Sequence, residues 1–130
     1  YMRRTAESII VREVCDKQEG ADYALTEYSL IASNGRYSVV RATPVTGRTH
    51  QLRVHFSHIG CPIVGDNMYG SESAFICRHA LHSHLLTFTH PSTHEQISVR
   101  SPLPEDMVSL IESVFDEDMA DTIKKELSLS

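Results

Sequence analysis

Between Pro44 and Pro62 the chain has room for one short helix and little else. Pro44 and Gly47 break any strand arriving from upstream, and Thr46 or Thr49 can cap the helix that follows. From His50 to Ile59, Leu52, Phe56 and Ile59 recur at helical spacing and make an apolar stripe, while His50, Arg53 and Ser57 share another face. Gly60 stands where a left-handed C-terminal residue belongs, and Pro62 forbids continuation. The pattern therefore predicts about three turns of helix, buried on one side and polar on the other.

The flanks read as hairpins. Ile9-Ile10-Val11 with Val14 suggests a short strand. Residues 24–32 alternate like a strand, Asn34-Gly35 is the dipeptide favoured for a two-residue hairpin turn, and residues 36–42, rich in Tyr and Val, return as the partner. Cys61 to Gly70 has the glycines and Asn67 of a folded loop. Residues 80–89 alternate again, Pro91-Ser92-Thr93 turns the chain, and Gln96 to Arg100 returns. Pro102 and Pro104 open a helix with Met107, Leu110, Ile111 and Val114 as its core stripe, and a second acidic, amphipathic piece covers about residues 119–127. Hairpins interspersed with helices predict an α+β fold with a mixed or antiparallel sheet, and residues 1–130 contain neither a repeat nor a linker.

Charge narrows the partners. The net charge is −5, but the segment from Glu105 onward carries −6, leaving +1 to the body before it. Within that body, residues 41–58 hold Arg41, Arg48 and Arg53 with His50, His55 and His58, and no acid. A local basic patch on a near-neutral body suits a phosphate-rich partner, and a solvated basic face would look the same. No apolar run approaches the roughly 20 residues of a membrane span, so no membrane partner is expected. Cys15, Cys61 and Cys77 are an odd number without a CxxC pair, as in a cytoplasmic protein with reduced thiols. Tyr1-Met2 is an unusual start, so a longer parent protein is expected.

The central segment also carries a resemblance. Thr46-Gly47-Arg48-Thr49-His50-Gln51-Leu52-Arg53-Val54-His55 is similar to the TGRTHQ(I/L)RVH signature of the RluA-like RNA pseudouridine synthases. Ile59-Gly60-Cys61-Pro62-Ile63-Val64-Gly65-Asp66 with Tyr69-Gly70 resembles that family's IGHPIVGD…YG, and Arg78-His79-Ala80-Leu81-His82-Ser83 its R(Q)ALHA strand. The resemblance runs from about Gly20 to Met107. It implies the C-terminal half of the pseudouridine synthase fold, and isomerisation of uridine in structured ribosomal or transfer RNA to its C-glycoside without metal or organic cofactor.

In that family the nucleophilic aspartate lies in an HRLD-type motif, and no Asp here follows His-Arg-Leu. The chain alone is therefore expected to be inactive. By its position in the signature, Arg53 is the residue expected to pair with the missing aspartate, since a guanidinium offers a planar fork of donors and keeps its charge. Without that aspartate its side chain should be exposed or borrow another acid. Asp66 reads as a structural residue of its loop. Leu81 matches the aliphatic residue presented beneath the target base, and core packing would explain it as well. Arg48, His50, Gln51 and Arg41 are the expected RNA-binding residues; hydrogen bonding within the loop is the alternative for Arg48 and His50. His55 and His58 read as structural. Cys77, His79, His82 and His84 invite a zinc reading, but none of the usual finger spacings is present, so no metal is expected. The rival to the enzyme is a non-catalytic RNA-binding module on the same scaffold. A sheet cut at its edge would also invite self-association.

Overall fold

The structure is a computed structural model that describes residues 1–8 and 11–129. It divides into two compact units, residues 1–80 and residues 81–130. The predicted strand segment Ile9-Ile10 lies outside the described residues.

In the first unit, β1 (Met2–Arg4) pairs antiparallel with β2 (Arg12–Val14), in register Met2 with Val14 and Arg4 with Arg12. The β1 sequence, with two arginines in three residues, carries no strand signal. It is held by the ladder and by reciprocal backbone bonds between Met2 and Asp22 (2.9 and 2.8 Å). Strands β3 (Thr26–Ser33) and β4 (Ser38–Pro44) form the expected hairpin, with a bulge between Leu30 and Ala32. Its tip differs from the expected two-residue Asn34-Gly35 turn. Ser33 pairs with Ser38, Asn34 N–H donates to the Tyr37 carbonyl, and Asn34 Oδ1 accepts from the N–H groups of Arg36 and Tyr37. Asn34 thus braces the turn with its side chain while Gly35 alone takes positive φ (87°).

Helix α1 (Gln51–His58) ends as predicted: Gly60 has φ 83° and donates to Ser57 O at 3.0 Å. Its start and inner face differ. Neither Thr46 nor Thr49 caps it; the N-cap is His50, itself left-handed (φ 57°, ψ 22°) and without a side-chain cap bond. The buried residues are Gln51, Val54 and Phe56, whereas Leu52 is half-buried and Ile59 is exposed. The predicted stripe misplaces the inner face because Gln51, a polar residue, is drawn inward by the loop before it. Phe56 packs edge-to-face on Tyr28 of β3 (5.4 Å between centroids).

In the second unit, β5 (Leu85–Thr89) pairs antiparallel with β6 (Gln96–Arg100), Leu85 opposite Arg100 and Thr89 opposite Gln96. The strand expected from residue 80 begins only at Leu85, because its partner runs out at Arg100; beyond it Ser101 N–H reaches the His84 carbonyl at 2.9 Å. Helices α2 (Glu105–Val114) and α3 (Glu117–Leu129) bury Leu110, Ile111, Phe115, Ala120 and Ile123. The class is α+β, and every strand pair among the described residues is antiparallel.

Candidate active site

The polar face of α1 closes on the loop that follows it. His50, Arg53 and Ser57 all reach Tyr69 or its neighbour Asp66. Ser57 Oγ–H donates to the Tyr69 carbonyl at 2.6 Å, and the Arg53 guanidinium lies 5.3 Å from the Tyr69 ring centroid. Arg53 then borrows an acid, as a guanidinium without another partner must. Its Nε donates to Asp66 Oδ2 at 2.9 Å and its Nη2 to Oδ1 at 2.7 Å, a bidentate pair. Oδ1 also accepts the backbone N–H groups of Met68 and Tyr69, each at 3.1 Å. The Asp66 side chain is 0% exposed and that of Arg53 13%. The Arg53 hydrogen bonds, aided by the two N–H groups and opposed by burial, hold the Asp66 carboxyl down at about 2. Among the described residues Arg53 Nη1 has no hydrogen-bond partner.

Tyr69 ties this pair to His50 and β2. Its hydroxyl accepts the Arg12 backbone N–H at 3.0 Å and lies 2.7 Å from His50 Nδ1. The phenolic oxygen can accept a second proton as well as give its own, so the donor of this bond follows the His50 tautomer. Burial first, then the charges of Arg53 and Arg12, lower the His50 pKa and keep the ring neutral, against a smaller opposing pull from Asp66. The left-handed backbone of His50, disfavoured by about 1 kcal/mol for an L-residue, is what turns this ring toward Tyr69.

A second network sets the start of α1. Gln51 is 4% exposed and every polar group of its amide is engaged. Its Oε1 accepts Thr46 Oγ1–H (2.6 Å) and Arg48 N–H (3.0 Å); its Nε2 donates to Leu25 O (2.9 Å) and Thr26 Oγ1 (3.0 Å). Thr26 Oγ1 is also hydrogen-bonded to His55 Nδ1 at 2.8 Å, and burial lowers the pKa of that histidine too. Gln51, expected at an RNA-binding surface, is therefore a scaffold residue with no hydrogen-bonding capacity left to offer. Arg48 donates from Nε to Tyr23 O at 2.9 Å, the loop bond foreseen as its alternative, yet its side chain stays 43% exposed. Arg41 is exposed on β4 opposite Ser29.

Leu81 opens the second unit and is half-buried. His82 and His84 both place a ring nitrogen 3.1 Å from the Ser101 carbonyl. Among the described residues no three His, Cys, Asp or Glu side chains gather as a metal site requires. Sequence reasoning missed Tyr69 and undervalued Asp66. Apart from Asp66, Tyr69's partners lie from 12 to 57 residues away, so no local spacing marks it.

Gly65 fixes the loop that delivers Asp66. It has φ 78°, and a Cβ there would collide with the Arg78 carbonyl oxygen and the Ile76 side chain. The helix that faces this loop carries the segment TGRTHQLRVH. Residues 4–58 match the family described as RNA pseudouridylate synthase. The chain belongs to the RluA-like RNA pseudouridine synthases.

Three relatives illustrate the likeness. "Uncharacterized RNA pseudouridine synthase YjbO" of Bacillus subtilis is 43% identical over 109 residues, covering 83% of this chain and 37% of its own length. "Ribosomal large subunit pseudouridine synthase D" of Haemophilus ducreyi is 39% identical over 105 residues, 70% of this chain and 32% of its own. "Dual-specificity RNA pseudouridine synthase RluA" of Vibrio cholerae is 46% identical over 79 residues, 59% and 32% respectively. The chain thus spans about a third of the length of these relatives.

Proposed function

We propose that residues 1–130 are the C-terminal portion of a pseudouridine synthase catalytic domain, and that the whole protein isomerises uridine in structured RNA. The observation that carries this reading is the Arg53 guanidinium, held on one edge by Asp66 with Nη1 open on the other. A nucleophilic aspartate from the N-terminal part of the domain pairs with that open edge. It attacks the nucleoside and the glycosidic bond breaks; the freed uracil turns and rejoins the ribose through C5 as the aspartate is released, C5 giving up its proton and N1 taking one up. A cationic neighbour lowers a carboxylate pKa by about 1–3 units, so Arg53 keeps the nucleophile ionised. No cofactor enters.

Arg48, Arg41 and His50 contribute to the RNA surface, the arginines by neutralising phosphate and His50 through its neutral ring. Leu81 lies beneath the flipped base. Ribosomal or transfer RNA is the substrate, the name of the Haemophilus ducreyi relative supporting the ribosomal one, and the cytoplasm is where the protein acts. The outer edges of the β3–β4 hairpin, unpaired among the described residues, allow the isolated chain to self-associate.

The test is tritium release from RNA labelled at C5 of uridine. The whole protein should release tritium and the isolated chain should not. A whole protein that binds RNA in a salt-sensitive way but releases none would replace this reading with the non-catalytic RNA-binding module.

A further inference from the structure

The catalytic reading above leaves Asp66 without a part in the reaction, although it is the one buried acid among the described residues. A buried carboxylate that makes four hydrogen bonds, two of them to one guanidinium, does more than complete a loop. A free arginine side chain has many rotamers, and a guanidinium meant to meet a carboxylate in one geometry gains by having that freedom removed beforehand.

We propose that Asp66 is a positioning residue for Arg53, fixing the Nε–Nη2 edge so that Nη1 and the remaining Nη2 proton meet the reacting carboxylate in one orientation; this rests on the function proposed above. Three features support it. The contact is side-on: it occupies Nε and one Nη2 proton and leaves the end-on edge open. The Tyr69 ring lies along the guanidinium and limits its swing. Asp66 itself cannot move, because two backbone N–H groups of its own loop hold Oδ1 and Gly65 sets the loop against the Arg78 carbonyl and the Ile76 side chain. A carboxylate held this rigidly transmits its orientation to the guanidinium.

Asp66→Asn separates positioning from loop structure. The amide keeps Oδ1 for the Met68 and Tyr69 N–H groups, but puts an N–H donor against Arg53 Nε–H and removes the charge. In the whole protein, the single-turnover rate of pseudouridine formation should fall about 100-fold, as misplacement by an ångström does. RNA affinity should stay within about threefold, and the acid limb of the rate profile should move up by about one pH unit as the nucleophile loses its oriented cation. In an Arg53→Lys background, Asp66→Asn should cost almost nothing further, because contacting residues couple.

A wild-type rate in Asp66→Asn, or a loss that adds in full to that of Arg53→Lys with no movement of the acid limb, overturns the positioning role alone. A wild-type protein that makes no pseudouridine overturns the proposed function and this inference with it. Should Asp66→Asn not fold, nitrogen-15 spectra of the wild-type protein decide. A resolved, slowly exchanging Arg53 Nε–H with distinct Nη signals supports the role, and a single averaged, fast-exchanging set overturns it.

Discussion

Helix α1 and the α2–α3 pair are built on opposite principles. The α2–α3 pair follows general rules: Glu105 and Asp106 open α2, Glu117 and Asp118 open α3, Asp116 Oδ1 takes the Met119 N–H, and the buried part of the contact is apolar. Helix α1 follows almost none. It has no acid in its first turn, no side-chain cap, a left-handed N-cap residue and a buried glutamine, and its arginine is paired with a buried aspartate. General rules make a helix that tolerates exchange of one apolar residue for another. A helix held by addressed hydrogen bonds is intolerant, and what it gains is a fixed orientation for Arg53 and His50.

The largest effect should separate the two directly. Arg53→Ala leaves Asp66 buried and unpaired, which costs about 3–5 kcal/mol in urea unfolding of the chain. Ile123→Val, at the most buried apolar position of α3, should cost about 1 kcal/mol. In the whole protein, Arg53→Ala should also lower turnover by at least about 100-fold while RNA affinity changes far less. Equal stability losses for the two variants would erase the distinction between the helices, and near-normal turnover would remove Arg53 from the chemistry.

Gln51→Leu comes next. The side chain is nearly isosteric and more apolar, so a site governed by hydrophobic burial would accept it. Here it strands the Arg48 N–H, the Leu25 carbonyl and the hydroxyls of Thr46 and Thr26. A loss of about 2–3 kcal/mol is expected, measured as a shift in the urea midpoint at unchanged slope.

The same contrast explains what was legible in the sequence. The β3–β4 hairpin and the α2 stripe were readable because their signals are local: alternation, a turn dipeptide, residues three and four apart. The end of α1 was readable from Gly60 and Pro62, although its eight residues make fewer than the three turns expected. Its inner face was not, since the decision to bury Gln51 is made by Leu25 and Thr26, some 26 and 25 residues earlier. At the site, the shared face of His50, Arg53 and Ser57 could be seen, whereas Tyr69, the group they converge on, could not. Strand β1 had no pattern to see, because pairing with β2 and Asp22 creates it.

Acid should sharpen the comparison further. The folded pKa of Asp66, about 2, lies below its unfolded value of 3.8. Its contribution is therefore full above pH 4 and is lost as pH falls toward 2, about 2 kcal/mol in all. His50 and His55 act with the same sign at higher pH. Their folded pKa values lie below 6.5, so they begin to withdraw stability as pH drops below that value. Amide-exchange protection, corrected for intrinsic rates, should fall in α1 below pH 6.5 and again below pH 4. The apolar contact of α2 with α3 buries no titratable side chain among the described residues. Protection in α2 and α3 that fell in step with α1 would mean that the two units unfold together.

The smallest effect is expected where a bond looks strongest on paper. Lys124 Nζ lies 2.8 Å from Glu112 Oε1 and 3.4 Å from Asp121 Oδ1, a tie between α2 and α3 that rivals Arg53–Asp66 in length. Both acids are at least half exposed, so water competes for each charge and salt screens the pair. Lys124→Met keeps the aliphatic stem over the helix contact and removes the charge. Its urea midpoint should match the wild type at 0.15 M salt (where screening extends over about 8 Å) and differ slightly, if at all, at low salt. A midpoint shift approaching that of Arg53→Ala would show that ion pairs hold the α2–α3 contact as they hold α1, and the division between the two regions would fail.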